Sequence, residues 1–148
     1  MRIESFQGLI EWTQASHAAM ASCLTKCASE NPDERASLVL TYLASHEAKL
    51  EKMVIEYAQR DAGSDGDALT VGVAADAAPQ CNGRFAKLSA DQITEQVFEH
   101  HDQIIRFYDE MVTKVKNPRV VEKITEMRDM QLKESKLLVR QTGRMQDV

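Results

Sequence analysis

Residues Leu43–Val54 read LASHEAKLEKMV, and this stretch carries both the architecture and the chemistry of the chain. Leu43, Leu50 and Val54 recur at spacings of seven and four, and Ala36, Val39 and Tyr57 extend the same stripe in both directions. That is the period of an amphipathic helix with one buried face. Glu47 falls inside the stripe, four residues after Leu43 and seven before Val54, with His46 at its edge. A carboxylate placed among inward apolar side chains needs a partner, because a buried unpaired charge is strongly unfavourable.

Working outward, the helix is expected over about 32–61. It starts at Asn31-Pro32-Asp33-Glu34, where Asn31 is read as N-cap and Pro32 as the first helical residue. Before it, Ile3, Phe6, Ile10, Met20 and Leu24 predict a first helix over about 3–29. A third helix is expected over about 89–116, with Ile93, Val97, Ile104, Tyr108, Met111 and Val115 inward. Ser89 is its N-cap, with polar first-turn residues but no strict capping box. After Asn117-Pro118, a fourth is expected over about 118–144, with Val120, Ile124, Met127, Leu138 and Val139 inward. Residues 62–88 lack sustained periodicity and are read as a crossover loop long enough to run the length of a bundle. The expectation is one all-α domain over 1–148, two helical hairpins joined by a long crossover. A four-helix bundle with one long connection is the ferritin-like arrangement.

Composition narrows the function classes. With 148 residues and a net charge of −5, the chain suits one globular domain and argues against a nucleic-acid-binding surface. It has no apolar run long enough for a membrane span. The opening MRIESFQGLIEW lacks a basic region followed by an apolar run, so no signal peptide is expected. Three cysteines, an odd count, point to a reducing cytoplasm rather than a disulfide framework. Cys23 and Cys27 read as small buried apolar residues and Cys81 as an incidental loop thiol. Leu9, Trp12, Ala15, Ser16, Ala19 and Cys23 make a second small or apolar face on the first helix, a hint of a homodimer. There is no Gly-rich phosphate loop and no Ser-His-Asp arrangement.

Each of the other helices also interrupts its stripe with polar residues. His17 follows Ile10 by seven, His101 follows Val97 by four with His100 at the edge, and Gln131 follows Ile124 by seven. Arg128, four after Ile124, is also read as inward. His17, Glu47, His101 and Gln131 all fall near mid-helix, so they are expected to share one layer. The charged run from Glu122 to Glu134 is otherwise read as a solvated face, and the helical phase of Glu99 points it to solvent.

This layout resembles the ferritin and rubrerythrin superfamily, whose bundles hold two metal ions with a Glu from each of two helices and a Glu-x-x-His pair from each of the other two. Glu47 matches the Glu of the second-helix pair, but Leu50 stands where its His would be. The fourth-helix pair falls on Arg128 and Gln131, and the single Glu positions fall near His17 and His101. The resemblance therefore implies the fold with its di-iron chemistry lost. The leading expectation is a structural polar layer in a structural or partner-binding protein without cofactor, with Glu47 paired to Arg128 and hydrogen bonds completed by His17, His101 and Gln131. The alternative is a mononuclear iron or zinc protein, or an oxidoreductase, using His17, Glu47 and His101, with His46 or His100 as substitutes. A third is a pocket for a small anion held by Arg128 and the histidines.

Overall fold

The structure, a computed structural model, describes residues 2–60, 68–75 and 81–146. Four long helices dominate it: α1 (Phe6–Glu30), α2 (Glu34–Arg60), α3 (Ala90–Lys114) and α4 (Pro118–Gln146). Two short strands, β1 (Arg2–Ser5) and β2 (Ala68–Ala74), form an antiparallel ribbon, with Ile3 opposite Val73 and a bulge between Ile3 and Ser5. One 3-10 turn, Arg84–Ala86, precedes α3. Among the described residues, no helix is long and apolar enough to cross a membrane.

Local chemistry explains where the helices begin and end. Residues Arg2–Ser5 form a strand rather than the first helical turn, because Ser5 is the N-cap of α1 and its side chain accepts from the Gly8 N–H at 2.9 Å. Asn31 is not the N-cap of α2 but the C-cap of α1. Its side chain accepts from Asp33 N–H, and Asp33 in turn accepts from Arg35 N–H at the start of α2. Ser89 and Gln92 do form a full capping box, each side chain satisfying the other's backbone N–H. Asn117 caps α4 by accepting from Arg119 N–H at 3.0 Å.

The core divides into two apolar clusters, each drawing on all four helices. One joins the start of α1 (Phe6, Leu9, Ile10), Val54 near the end of α2, the end of α3 (Tyr108, Met111) and the start of α4 (Val120, Ile124), roofed by Ile3 and Val73 of the ribbon. The other joins the end of α1 (Leu24, Cys27), the start of α2 (Ala36, Leu40), the start of α3 (Ile93, Val97), Leu138 of α4 and Phe85. Helices α2 and α3 therefore run in the same direction, which only a connection spanning the bundle allows. Within that connection the structure adds β2, whose ALTVGVA is β-branched and apolar. It also anchors the far end, where Asn31 Nδ2 donates to the Phe85 and Leu88 carbonyls. Residues 61–67, where the second helix is expected to give way to the crossover, lie outside the described residues.

Part of the second apolar face of α1 finds partners within the chain, while Ala15 stays exposed. Leu9 is in the core, Trp12 stacks on Phe107 with ring centroids 4.7 Å apart, and Cys23 is disulfide-bonded to Cys81. Both cysteine expectations are thereby corrected: Cys81 is a crosslink, and Cys23 is its partner rather than a small apolar filler. A loop-to-helix crosslink depends on the path of the crossover, which local spacing does not encode.

Candidate functional site

Between the two apolar clusters lies a layer of polar side chains. Its centre is Glu47, fully buried on α2 between Leu43 and Leu50. His17 of α1 lies with Nδ1 2.7 Å from Glu47 Oε2, and His101 of α3 places Nε2 in a close hydrogen bond with Oε1. On the other side of the His17 ring, Nε2 lies 3.0 Å from Oε1 of Gln131 on α4. All four helices therefore meet through one connected set of side chains. His17 and Glu47 are 0% exposed, His101 3% and Gln131 4%.

Burial alone would raise the Glu47 pKa, but the hydrogen bonds from His101 and His17 outweigh it and hold the carboxyl well below the usual carboxylate range. The centre is thus an anion enclosed by imidazoles. His46 and His100, expected at the stripe edges, are also buried. Each stacks near His101, with ring centroids 6.2 and 6.1 Å away. Desolvation lowers the His46 pKa and pushes His100 down to about 4. Both are held as neutral rings at neutral pH.

Arg128 is not in this layer. Its guanidinium lies on the surface, donating to Asp109 at 3.0 Å and Asp129 at 3.1 Å. The pairing of Glu47 with Arg128 is therefore overturned, and with it the pocket for an anion held by Arg128. The buried arc of α4 runs through Val120, Lys123, Ile124, Met127, Gln131, Glu134, Ser135 and Leu138. At about 100° per residue this arc is centred near Val120 and Leu138, which leaves Arg128 roughly 80° away, past its border. The same offset exposes Val139, 49% accessible, which had been expected inward.

It also draws in two side chains of the run read as solvated. Lys123 is buried with its ammonium over the Phe6 ring, and Glu134 is buried at the rim of the layer. Glu134 Oε2 lies 3.6 Å from His46 Nε2, and Oε1 lies 3.5 Å from Lys49 Nζ. The signal that could have found Glu134 is its spacing, seven after Met127 and four before Leu138. Glu99 is solvent-exposed as its phase indicated, 3.5 Å from Arg106.

The donors of His17, Glu47 and His101 lie within 4.8 Å of one another, close enough to hold one metal ion. A tetrahedral ion with bonds of about 2.0–2.1 Å separates its nitrogen and oxygen ligands by roughly 3.3 Å. The 2.7 Å gap between His17 and Glu47, and the still shorter contact between His101 and Glu47, would both have to open to reach this. A two-iron centre does not fit. Such a site uses several carboxylates to balance two cations. Among the described residues, Glu47 is the one carboxylate at the centre, with Glu134 at the rim beside His46 and Lys49. No protein family, no curated protein and no solved structure matches this chain.

Proposed function

We propose that the protein is a ferritin-like four-helix bundle that holds one divalent transition-metal ion, iron or zinc, with His17, Glu47 and His101 as ligands. The observation that carries this reading is the position of His17 between two acceptors, the Glu47 carboxylate at Nδ1 and the Gln131 carbonyl at Nε2. A neutral imidazole has one N–H. Given to Gln131, it leaves a lone pair at Nδ1 facing a carboxylate oxygen, an arrangement that a cation between them would relieve. Metal-bound histidines characteristically donate their other ring N–H to a carbonyl or carboxylate, which fixes the tautomer and orients the ring. Gln131 is placed for that role.

When bound, such an ion would supply Lewis-acid chemistry or, as iron, one-electron chemistry. The chain's own groups do the rest. Glu47 supplies the negative charge, His17 and His101 each address one of its oxygens, and Gln131 selects the His17 tautomer. The near-complete burial of the three ligands excludes bulky substrates and favours a structural ion or one that exchanges electrons or very small molecules. Elemental analysis of protein purified without chelators tests the reading. The expected result is close to one equivalent of iron or zinc. Less than about a tenth of an equivalent, with no uptake on titration, overturns it.

A second reading keeps the layer structural and puts a proton where the metal would be. It draws support from both Glu47 oxygens having partners without any ion. His17 then either carries a proton on each nitrogen or faces a Gln131 amide turned over to donate, which would also give Gln131 Nε2, otherwise without a hydrogen-bond partner, an acceptor. Stability that is independent of added metal and of chelator would favour this reading.

A further inference from the structure

The three cysteines converge at the end of the bundle away from the ribbon. Cys23 and Cys27 lie one turn apart on α1, and Cys81 approaches them from the crossover. Cys23 and Cys81 are joined by a disulfide, with Cα atoms 5.3 Å apart across 58 residues of sequence, while Cys27 is a free, fully buried thiol. The three sulfurs lie within 4.8 Å of one another. The disulfide accounts for the closeness of two of them but not for the third. Nor is the disulfide all that holds the Cys81 segment in place. Asn31 Nδ2 binds the Phe85 and Leu88 carbonyls, and Phe85 is buried in the same apolar cluster as Cys27. The cysteines are graded in access: Cys27 is sealed, Cys23 is 7% exposed and Cys81 faces solvent.

We propose that Cys23, Cys27 and Cys81 form a redox-gated site for a thiophilic d10 cation, separate from the histidine layer and independent of it. Three sulfur donors select soft ions such as Cu+ or Zn2+ over hard ones. Metal–sulfur bonds of about 2.3 Å place thiolate sulfurs roughly 3.8–4.0 Å apart, within the span of this triad. In the oxidised state two of the three donors are tied to each other and the site is closed. A dithiol reductant opens it. One of its thiolates attacks the exposed Cys81 sulfur and expels Cys23 as a thiolate, which takes up a proton. Its second thiol, after giving up its proton, attacks the mixed disulfide, and Cys81 leaves as a thiolate that is protonated. The reductant leaves as its own disulfide, having delivered two electrons and two protons. A cation then displaces the thiol protons and is bound by three sulfurs, Cys27 providing the deepest.

The test uses the full chain and Cd2+ as probe, because thiolate-to-cadmium charge transfer gives an ultraviolet band that the histidine layer cannot produce. Reduced, reductant-free protein is expected to develop this band and to saturate near one equivalent, whereas the oxidised protein develops none. In competition against a chelator, reduced Cys27→Ser is expected to bind at least about tenfold more weakly. Because a serine hydroxyl in the core could disturb folding, Cys27→Ala is measured beside it, with helical circular dichroism confirming both folds. The proposal is overturned if the reduced protein shows no band, if the oxidised protein shows an equal one, or if folded Cys27→Ala binds Cd2+ as tightly as the parent.

Discussion

Replacing Glu47 with glutamine keeps the shape of the side chain and removes the charge that both His17 and His101 address. Each of those hydrogen bonds is charge-assisted, fully enclosed, and worth about 1.5–3 kcal/mol. Removing one partner of a buried pair typically costs about 3–5 kcal/mol. The neutral amide recovers part of this by escaping the desolvation that opposes the carboxylate, so metal-free Glu47→Gln should be about 3 kcal/mol less stable. At roughly 2–4 °C per kcal/mol for a chain of this size, the midpoint falls by about 6–12 °C. On the proposed metal reading, added metal should widen the gap. At a free concentration about 1,000 times its Kd, an ion bound only by the folded state adds about 4 kcal/mol to the parent, and little of that should remain in the variant. Urea denaturation followed by circular dichroism, with chelator and then with zinc or ferrous iron under argon, measures both terms. A loss below about 1 kcal/mol in chelator would refute the buried carboxylate network. An equal metal-induced gain in parent and variant would refute Glu47 as a ligand.

Arg128→Ala is expected to change stability by less than about 0.5 kcal/mol, since its partners Asp109 and Asp129 are surface residues; a loss of several kcal/mol would return Arg128 to the core. Acidification should weaken the metal-free protein in a defined window. His100 is pushed down to about 4 by burial, so between the ordinary histidine pKa of about 6.5 and that value the unfolded chain binds a proton that the folded chain refuses. Stability therefore falls as pH drops through this window, by up to roughly 3 kcal/mol from this group, with His46 acting in the same sense. Glu47, held low, adds its loss only at still lower pH. His100→Gln should flatten the slope between about pH 6.5 and 4, and an unchanged slope would assign it to other groups. Finally, Tyr108, fully buried with its hydroxyl bonded to Thr13, stays a neutral phenol because burial raises its pKa. Tyr108→Phe should cost about 1–2 kcal/mol in the same denaturation assay; a neutral result would mean that the bond contributes nothing net.

Helical phase made most of the bundle readable. His17, Glu47, His101 and Gln131 each fall on an apolar stripe and each near mid-helix, and they do meet. The error at Arg128 was one of arc width. Its spacing of four from Ile124 drew it inward, while burial of Lys123 and Glu134 shows the stripe turned the other way. His46 and His100 looked peripheral for a similar reason, since a stripe edge is enclosed when a neighbouring helix covers it. The ribbon was missed, its strands falling in stretches read as helix and as loop; the β-branched run of β2 was a local signal, but its pairing with Arg2–Ser5 joins segments more than 60 residues apart. The Cys23–Cys81 bond was not legible at all, because it records where a long connection lands.

The polar layer also sets the axial position of the helices. Apolar surfaces above and below it are chemically alike, and on their own they would tolerate one helix sliding along another by a turn, about 5.4 Å. Such a slide would carry Glu47 away from both imidazoles and set its charge against Leu, Ile or Val. The slid packing would bury as much hydrocarbon as the native one, yet it would strand a carboxylate, two rings and an amide. The layer works as a key in a lock. Among packings of similar apolar quality, it admits the single alignment in which all four helices present their polar residues at one height.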